Sequence, residues 1–183
     1  QMTLLIRIGA LRFTGCSKAR LLWEVHMLLT RKRPLQVQKQ LFTRQSKQFE
    51  LPHFEEKPLE AVYDELELLG FPVTMTFFDL LQTRWRSPVH ARNLAEYDGQ
   101  TVKMLGLLVT IKYVRTTKAD IMHFGCFLDP YGEFFDTVHF PDSLREYPFK
   151  GRGVYLLLGK VTTEFGHPSL EIHKMAKMPL QGD

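Results

Sequence analysis

Ile121-Met122-His123-Phe124-Gly125-Cys126-Phe127-Leu128-Asp129-Pro130-Tyr131-Gly132-Glu133-Phe134-Phe135-Asp136-Thr137-Val138-His139-Phe140 reads as two extended runs around a turn. The runs Ile121 to Leu128 and Glu133 to Phe140 are rich in aromatic and apolar residues, as half-buried strands are. Asp129-Pro130-Tyr131-Gly132 supplies the turn: Pro presets its own φ, and Gly accepts the positive φ that closes a tight reversal. Alternation sorts Met122, Phe124 and Cys126 from His123, Gly125 and Phe127 on the first run. On the second it sorts Phe135, Thr137 and His139 from Phe134, Asp136, Val138 and Phe140. With the latter set taken as core, Phe124, Phe135 and His139 are expected on the open face. A slip of one residue reverses that assignment.

Working outward, Asp98-Gly99 marks a turn, and Thr101 to Val114 is a long strand in which Gly106 permits a bend. Downstream, Pro141 to Tyr147 reads as a short helical connection. Gly153 to Thr163 and Ser169 to Ala176 read as two more strands around Glu164-Phe165-Gly166-His167-Pro168. Three strands, a helix and two strands is the order of a five-stranded OB-type Greek-key barrel, expected over residues 99–183. Barrels of this type bind oligonucleotides across strands two and three and the flanking loops. The predicted fold class is therefore mainly β, with N-terminal helices.

Two loops would form the lips of such a site, Arg115 to Asp120 and Phe165 to Pro168. A single strand is held by cations on its backbone and by exposed π-faces under its bases. Lys112, Arg115, Lys118 and Lys160 are the candidate cations; Phe165 and His167 join Phe124, Phe135 and His139 as candidate base contacts.

Upstream, Leu59, Val62, Tyr63, Leu66 and Leu69 fall on one helical face, and Gly70 and Pro72 end that helix. With Phe77, Phe78, Leu80 and Leu81 they make 59–98 a helix and connecting segment. Residues 31–58 lose periodicity and read as a linker containing an isolated apolar pair, Leu41-Phe42, behind Gln36, Gln38 and Gln40. Residues 1–30 carry helix-spaced leucines on either side of Gly15, a helix terminator, and Ser17, an N-cap.

The chain has 183 residues, 44% hydrophobic and 24% charged, within the range of globular proteins and with room for two units. Its net charge of +4 is unevenly distributed. Residues 1–57 hold eleven Lys/Arg against four Asp/Glu, residues 58–100 three against seven, and the barrel window ten against nine. The basic front suits phosphate contact, or is a solvated helix face. No apolar run reaches the roughly 18 residues needed to span a bilayer, and no signal-peptide pattern opens the chain, so a cytoplasmic location is expected. Cys16 and Cys126 are far apart and expected reduced. The seven histidines lack metal-ligand spacing, and no Gly-rich phosphate loop is present. Asp136 and Asp142 are carboxylates of the type that binds Mg²⁺, but scattered barrel carboxylates are ordinarily solvated.

Leu5 to Leu11, Tyr63 to Phe71, Asp98 to Val102, Met122 to Gly125 and Phe135 to Pro141 follow one another in an order that resembles the C-terminal part of the bacterial DNA polymerase III alpha subunit. The resemblance implies the end of a helix-hairpin-helix region at 1–30 and an OB domain at the C-terminus. Gln38-Lys39-Gln40-Leu41-Phe42 is similar to that family's clamp-binding pentapeptide. It implies that Leu41 and Phe42 fill an apolar pocket on a sliding clamp while Gln38 bonds at its rim. Thr74 to Phe78 depart from the run common there. The family's polymerase carboxylates and their Mg²⁺ belong to a palm domain that nothing here matches, so this segment of a nucleotidyltransferase is expected to be non-catalytic and without cofactor. Its implied partners are single-stranded DNA, the clamp and other replicase subunits. The alternative is an OB-fold protein interaction module without direct DNA binding, favoured by the barrel's net charge of only +1. A nucleotidyltransferase or ligase fragment is disfavoured because its nucleophilic Lys motif is absent.

Overall fold

The computed structural model describes residues 1–30, 58–115 and 120–181. The chain forms two compact units, Gln1–Met75 and Thr76–Asp183.

The first unit contains helices α1 (Met2–Arg7), α2 (Lys18–Thr30) and α3 (Pro58–Leu69). Gly15 takes a left-handed φ of 68° after a short 3-10 turn, and the Arg20 N–H donates to Ser17 Oγ at 3.2 Å, capping α2. Ile6 and Val62 are buried between helices too short to persist alone. Charge adds to this packing. Asp64 accepts from Arg7 at 2.6 Å and from Lys18 at 3.1 Å, and Arg7 also reaches Glu67. Glu65 is wholly buried and accepts from the Val73 and Thr74 N–H groups, the Thr74 hydroxyl and Arg12. Burial alone would raise its pKa, but the donors outweigh it and hold the carboxyl at about 2.

The second unit is a closed barrel of β1 (Thr101–Arg115), β2 (Ile121–Leu128), β3 (Phe134–His139), β4 (Val154–Glu164) and β5 (His167–Lys177), ordered β1-β2-β3-β5-β4. Helix α4 (Pro141–Glu146) connects β3 to β4. All pairings are antiparallel except β3 with β5, where Asp136, Thr137 and Val138 oppose Ser169, Leu170 and Glu171. Five strands in this order with a helix after the third define an OB-type barrel, as the element order predicts.

The fifteen-residue β1 closes the barrel by serving two partners. Thr101 to Leu107 pair with β4, and Leu107 to Arg115 pair with β2, with a bulge between Leu108 and Thr110. Gly106 stands at the changeover, where a Cβ would lie 2.8 Å from Phe135 and 2.9 Å from Phe127. Its role is therefore to admit those rings as well as to bend the strand. Phe127, Phe135, Leu157, Leu170 and Ile172 fill the interior, and Val89, just before the 3-10 helix Ala91–Tyr97, and Leu94 within it join this core. A smaller cluster outside β1 and β4 covers Leu105 and Val154 with Phe78 and Leu81.

Two expectations are corrected. Phe135 and His139 face the interior, 4% and 1% exposed, whereas Phe134 faces out at 64%. Phe127 sets the parity: it pairs with Phe135, and the next inward pairs are Gly125 with Thr137 and His123 with His139. Without a side chain at Gly125, Thr137 and Phe127 occupy the space its Cβ would need, with His139 packed just beyond. The turn before β5 is also tighter than predicted. Glu164 pairs with His167, leaving Phe165 and Gly166 as a two-residue turn.

Candidate nucleic-acid interface

The outer face of β2 and β3 is organised in cross-strand rows. Lys112 on β1 opposes Phe124 on β2, which opposes Val138 on β3. The neighbouring row runs Thr110, Cys126, Asp136, Ser169, Thr162. A third joins Leu128 to Phe134. Phe124 is 40% exposed, so two phenyl rings, at Phe124 and Phe134, stand on a solvent-facing sheet. Apolar rings so placed gain by stacking on other planar groups.

The β4–β5 turn extends this aromatic surface. Phe165 has φ 52° and Gly166 φ 82°, the paired positive values of a type I′ hairpin turn. Gly meets that geometry freely; Phe is held there at a cost of about 1 kcal/mol or more. The ring is fully exposed, so the interior does not offset the strain. His167, also exposed, follows it. Two residues before the Asp136–Ser169 pair lie Phe134 and His167, so the parallel register brings the start of β3 beside the turn.

Lys112 brings a cation to the face at its other end. Lys112, exposed, lies in the row of Phe124; Arg115, also exposed, ends β1 opposite Ile121 and so has the other parity. Nearby, an open depression of about 340 Å³ is lined by Asp120, His123, Leu144 and Arg145 among others. Its cation is matched by acids, since Arg145 contacts Asp142 at 3.1 Å and Asp120 at 3.8 Å. Lys160 lies elsewhere: on β4 it opposes Thr101 and Glu171, away from Phe124 and Phe134. Lys118, Gln38, Leu41 and Phe42 fall outside the described residues.

The interior histidines are neutral structural groups rather than phosphate ligands. His139 Nε2 lies 2.8 Å from Thr137 Oγ1, and Phe149 packs against both His139 and His123. Burial, assisted by neighbouring His123, pushes the His139 pKa down to about 3; burial also lowers that of His123. On the outer face, burial raises the Cys126 thiol pKa, and the charge and hydrogen bond of Asp136 add to the rise. Cys126 is thus a protonated thiol at neutral pH. Among the described residues, no group of three or more His, Cys, Asp or Glu is placed to hold a metal ion. No helix among them is long and apolar enough to cross a membrane.

Sequence alternation located Phe124 on this face but missed Phe134. The available signal was Phe127: once that ring is assigned to the core, the hairpin pairing turns Phe134 outward.

Strand order and outer-face chemistry together define the class as an OB-type barrel preceded by helices. No protein-family model matches the chain, and no curated protein matches it in sequence. Among solved structures, it is similar to replication protein A from U. maydis bound to ssDNA, at 16% identity and TM-score 0.36, over 53% of this chain and 77% of that one. A mitochondrial single-stranded DNA binding protein from S. cerevisiae gives 8% and 0.37, over 46% and 99%. The Stn1-Ten1 complex from S. pombe gives 14% and 0.39, over 55% and 81%. At these values the likeness concerns fold, and the barrel's class rests on its own strand pairing.

Proposed function

We propose that the barrel binds single-stranded DNA across β2 and β3, without catalysing a reaction on it. The observation that carries this reading is the set of exposed rings at Phe124, Phe134 and Phe165, with exposed Lys112 in the row of Phe124. Rings accept any base by stacking, worth about 1–3 kcal/mol per base, while a cation holds the backbone. Fluorescence anisotropy with a labelled single strand tests it: binding at low salt weakens as salt rises. Absence of binding at low salt excludes the reading.

The finer proposal is that this chain belongs to the C-terminal part of a replicative polymerase alpha subunit. There, residues 31–58 carry a sliding-clamp contact through Gln38, Leu41 and Phe42, between the helix-hairpin-helix end at 1–30 and the segments 59–98 and 99–183. It is supported by the resemblance in sequence order. Clamp binding unchanged in a Leu41→Ala, Phe42→Ala double variant removes it.

One observation favours a protein partner instead: Asp136 sits exposed in the middle of the aromatic face, where it repels phosphate. Asp136→Lys separates the readings. It strengthens binding of a DNA strand that crosses this face, whereas a face that takes a protein partner leaves DNA binding unchanged and loses the partner.

A further inference from the structure

The outer surface of β1, β4 and β5 differs chemically from the β2–β3 face. Lys103 on β1 and Lys174 on β5 each oppose Leu158 on β4, so two lysines flank one apolar residue in a single row. One row along, Lys160 lies between Thr101 and Glu171. His173 is the extra residue at the bulge between Leu158 and Gly159. All three lysines are exposed, and none makes an ion pair among the described residues. Glu171 is the acid nearest in register. The β2–β3 face offers the reverse: exposed rings, with Asp136 at its centre and a single in-row cation, Lys112.

Bases and phosphates have opposite needs, one for apolar planes and the other for positive charge. The β4–β5 hairpin connects the two surfaces. Its His167 comes two residues before Ser169, the β5 partner of Asp136 on β3, and Lys160 lies five residues before Phe165 on β4, about 17 Å of extended chain. Lys103 and Lys174 are each about one strand spacing from Leu158, close to 5 Å.

We infer that Lys160, Lys103 and Lys174 form a second contact surface for the phosphate backbone of the same single strand, which passes over the Phe165 hairpin from β2–β3 onto β4. The inference rests on the proposed strand binding and locates its electrostatic part. The strand stacks bases on Phe124, Phe134 and Phe165, then lays its backbone on the lysines. Glu164, at the hairpin, opposes this path and is outweighed once three lysines are engaged.

Anisotropy titrations of the full chain with two labelled oligothymidylates test it, one of about 6 nucleotides and one of about 16, spanning the range of sites on such barrels. Each is titrated over a salt series against the wild type and the Lys103→Gln, Lys160→Gln, Lys174→Gln variant. Exposed Lys-to-Gln changes leave the core intact, and a thermal melt checks this. For the wild type, the longer strand shows a log K against log salt slope steeper by about 2, from about 0.7 per phosphate contacted on a single strand. The triple variant loses that increment and binds the short strand as before. Equal slopes for wild type and variant on the long strand overturn the inference while leaving strand binding in place. Failure of the wild type to bind either strand overturns the functional reading, and this inference with it.

Discussion

Phe127 and Phe135 oppose one another across β2 and β3, their rings stacked with centroids 5.7 Å apart inside the barrel. This contact determines which side of the hairpin faces solvent. Phe134 and Phe135, adjacent and chemically identical, therefore have different tasks. Phe135→Ala empties a core site and costs about 3–5 kcal/mol, measured by denaturant unfolding. Phe134→Ala changes stability by about 0.5 kcal/mol or less and weakens strand binding by about 1–3 kcal/mol, measured by anisotropy. The opposite pattern assigns the faces the other way.

His139 makes the barrel sensitive to acid. Its pKa in the folded chain is about 3, below the ordinary value of 6.5. The unfolded chain therefore binds the proton first. The neutral ring contributes its full stability above about pH 6.5, and stability falls as pH drops through the window from 6.5 towards 3, by up to about 1.4 kcal/mol per pH unit. His139→Leu flattens the dependence in that window. Denaturant midpoints at a series of pH values measure both.

Glu65 acts in the helical unit, with the same direction of pH dependence in a different window. Its folded pKa of about 2 lies below 4.5, so the stability it supplies is complete above about pH 4.5 and disappears as pH falls towards 2. At neutral pH, Glu65→Ala leaves the Val73 and Thr74 N–H groups without their acceptor, a loss of about 1–3 kcal/mol. Hydrogen exchange at these two amides reports it: both lose protection in the variant.

Phe165 separates stability from binding. Replacing it with Gly relieves the left-handed strain and raises stability by up to about 1 kcal/mol. The same change removes an exposed ring and weakens strand binding by about 1–3 kcal/mol. Thermal melts and anisotropy on one variant should therefore move in opposite senses.

Element order was legible in sequence because turns and strand lengths are local properties. Asp129-Pro130-Tyr131-Gly132 and the glycines near β1 mark those elements without reference to anything distant. Facing was harder to read. The adjacent rings at Phe134 and Phe135 satisfy either alternation, and the choice depends on Phe127 and on the space left at Gly125, both contributed by another strand. Lys160 was assigned to the site by charge alone, whereas its position depends on barrel closure and the β4–β5 bulge. Phe165, Lys112 and Arg115 lie exposed at the expected ends, because a hairpin tip and the end of a strand are set by nearby residues.

Since β1 gives its first half to β4 and its second half to β2, the barrel cannot open at one seam and leave the other intact near Leu107. Rupture there detaches both partners in one cooperative event. The Phe165–Gly166 hairpin joins strands already held by ten residue pairs. A break in the chain at that hairpin leaves its ladders in place, whereas a break at Gly106 leaves no continuous strand to close the ring.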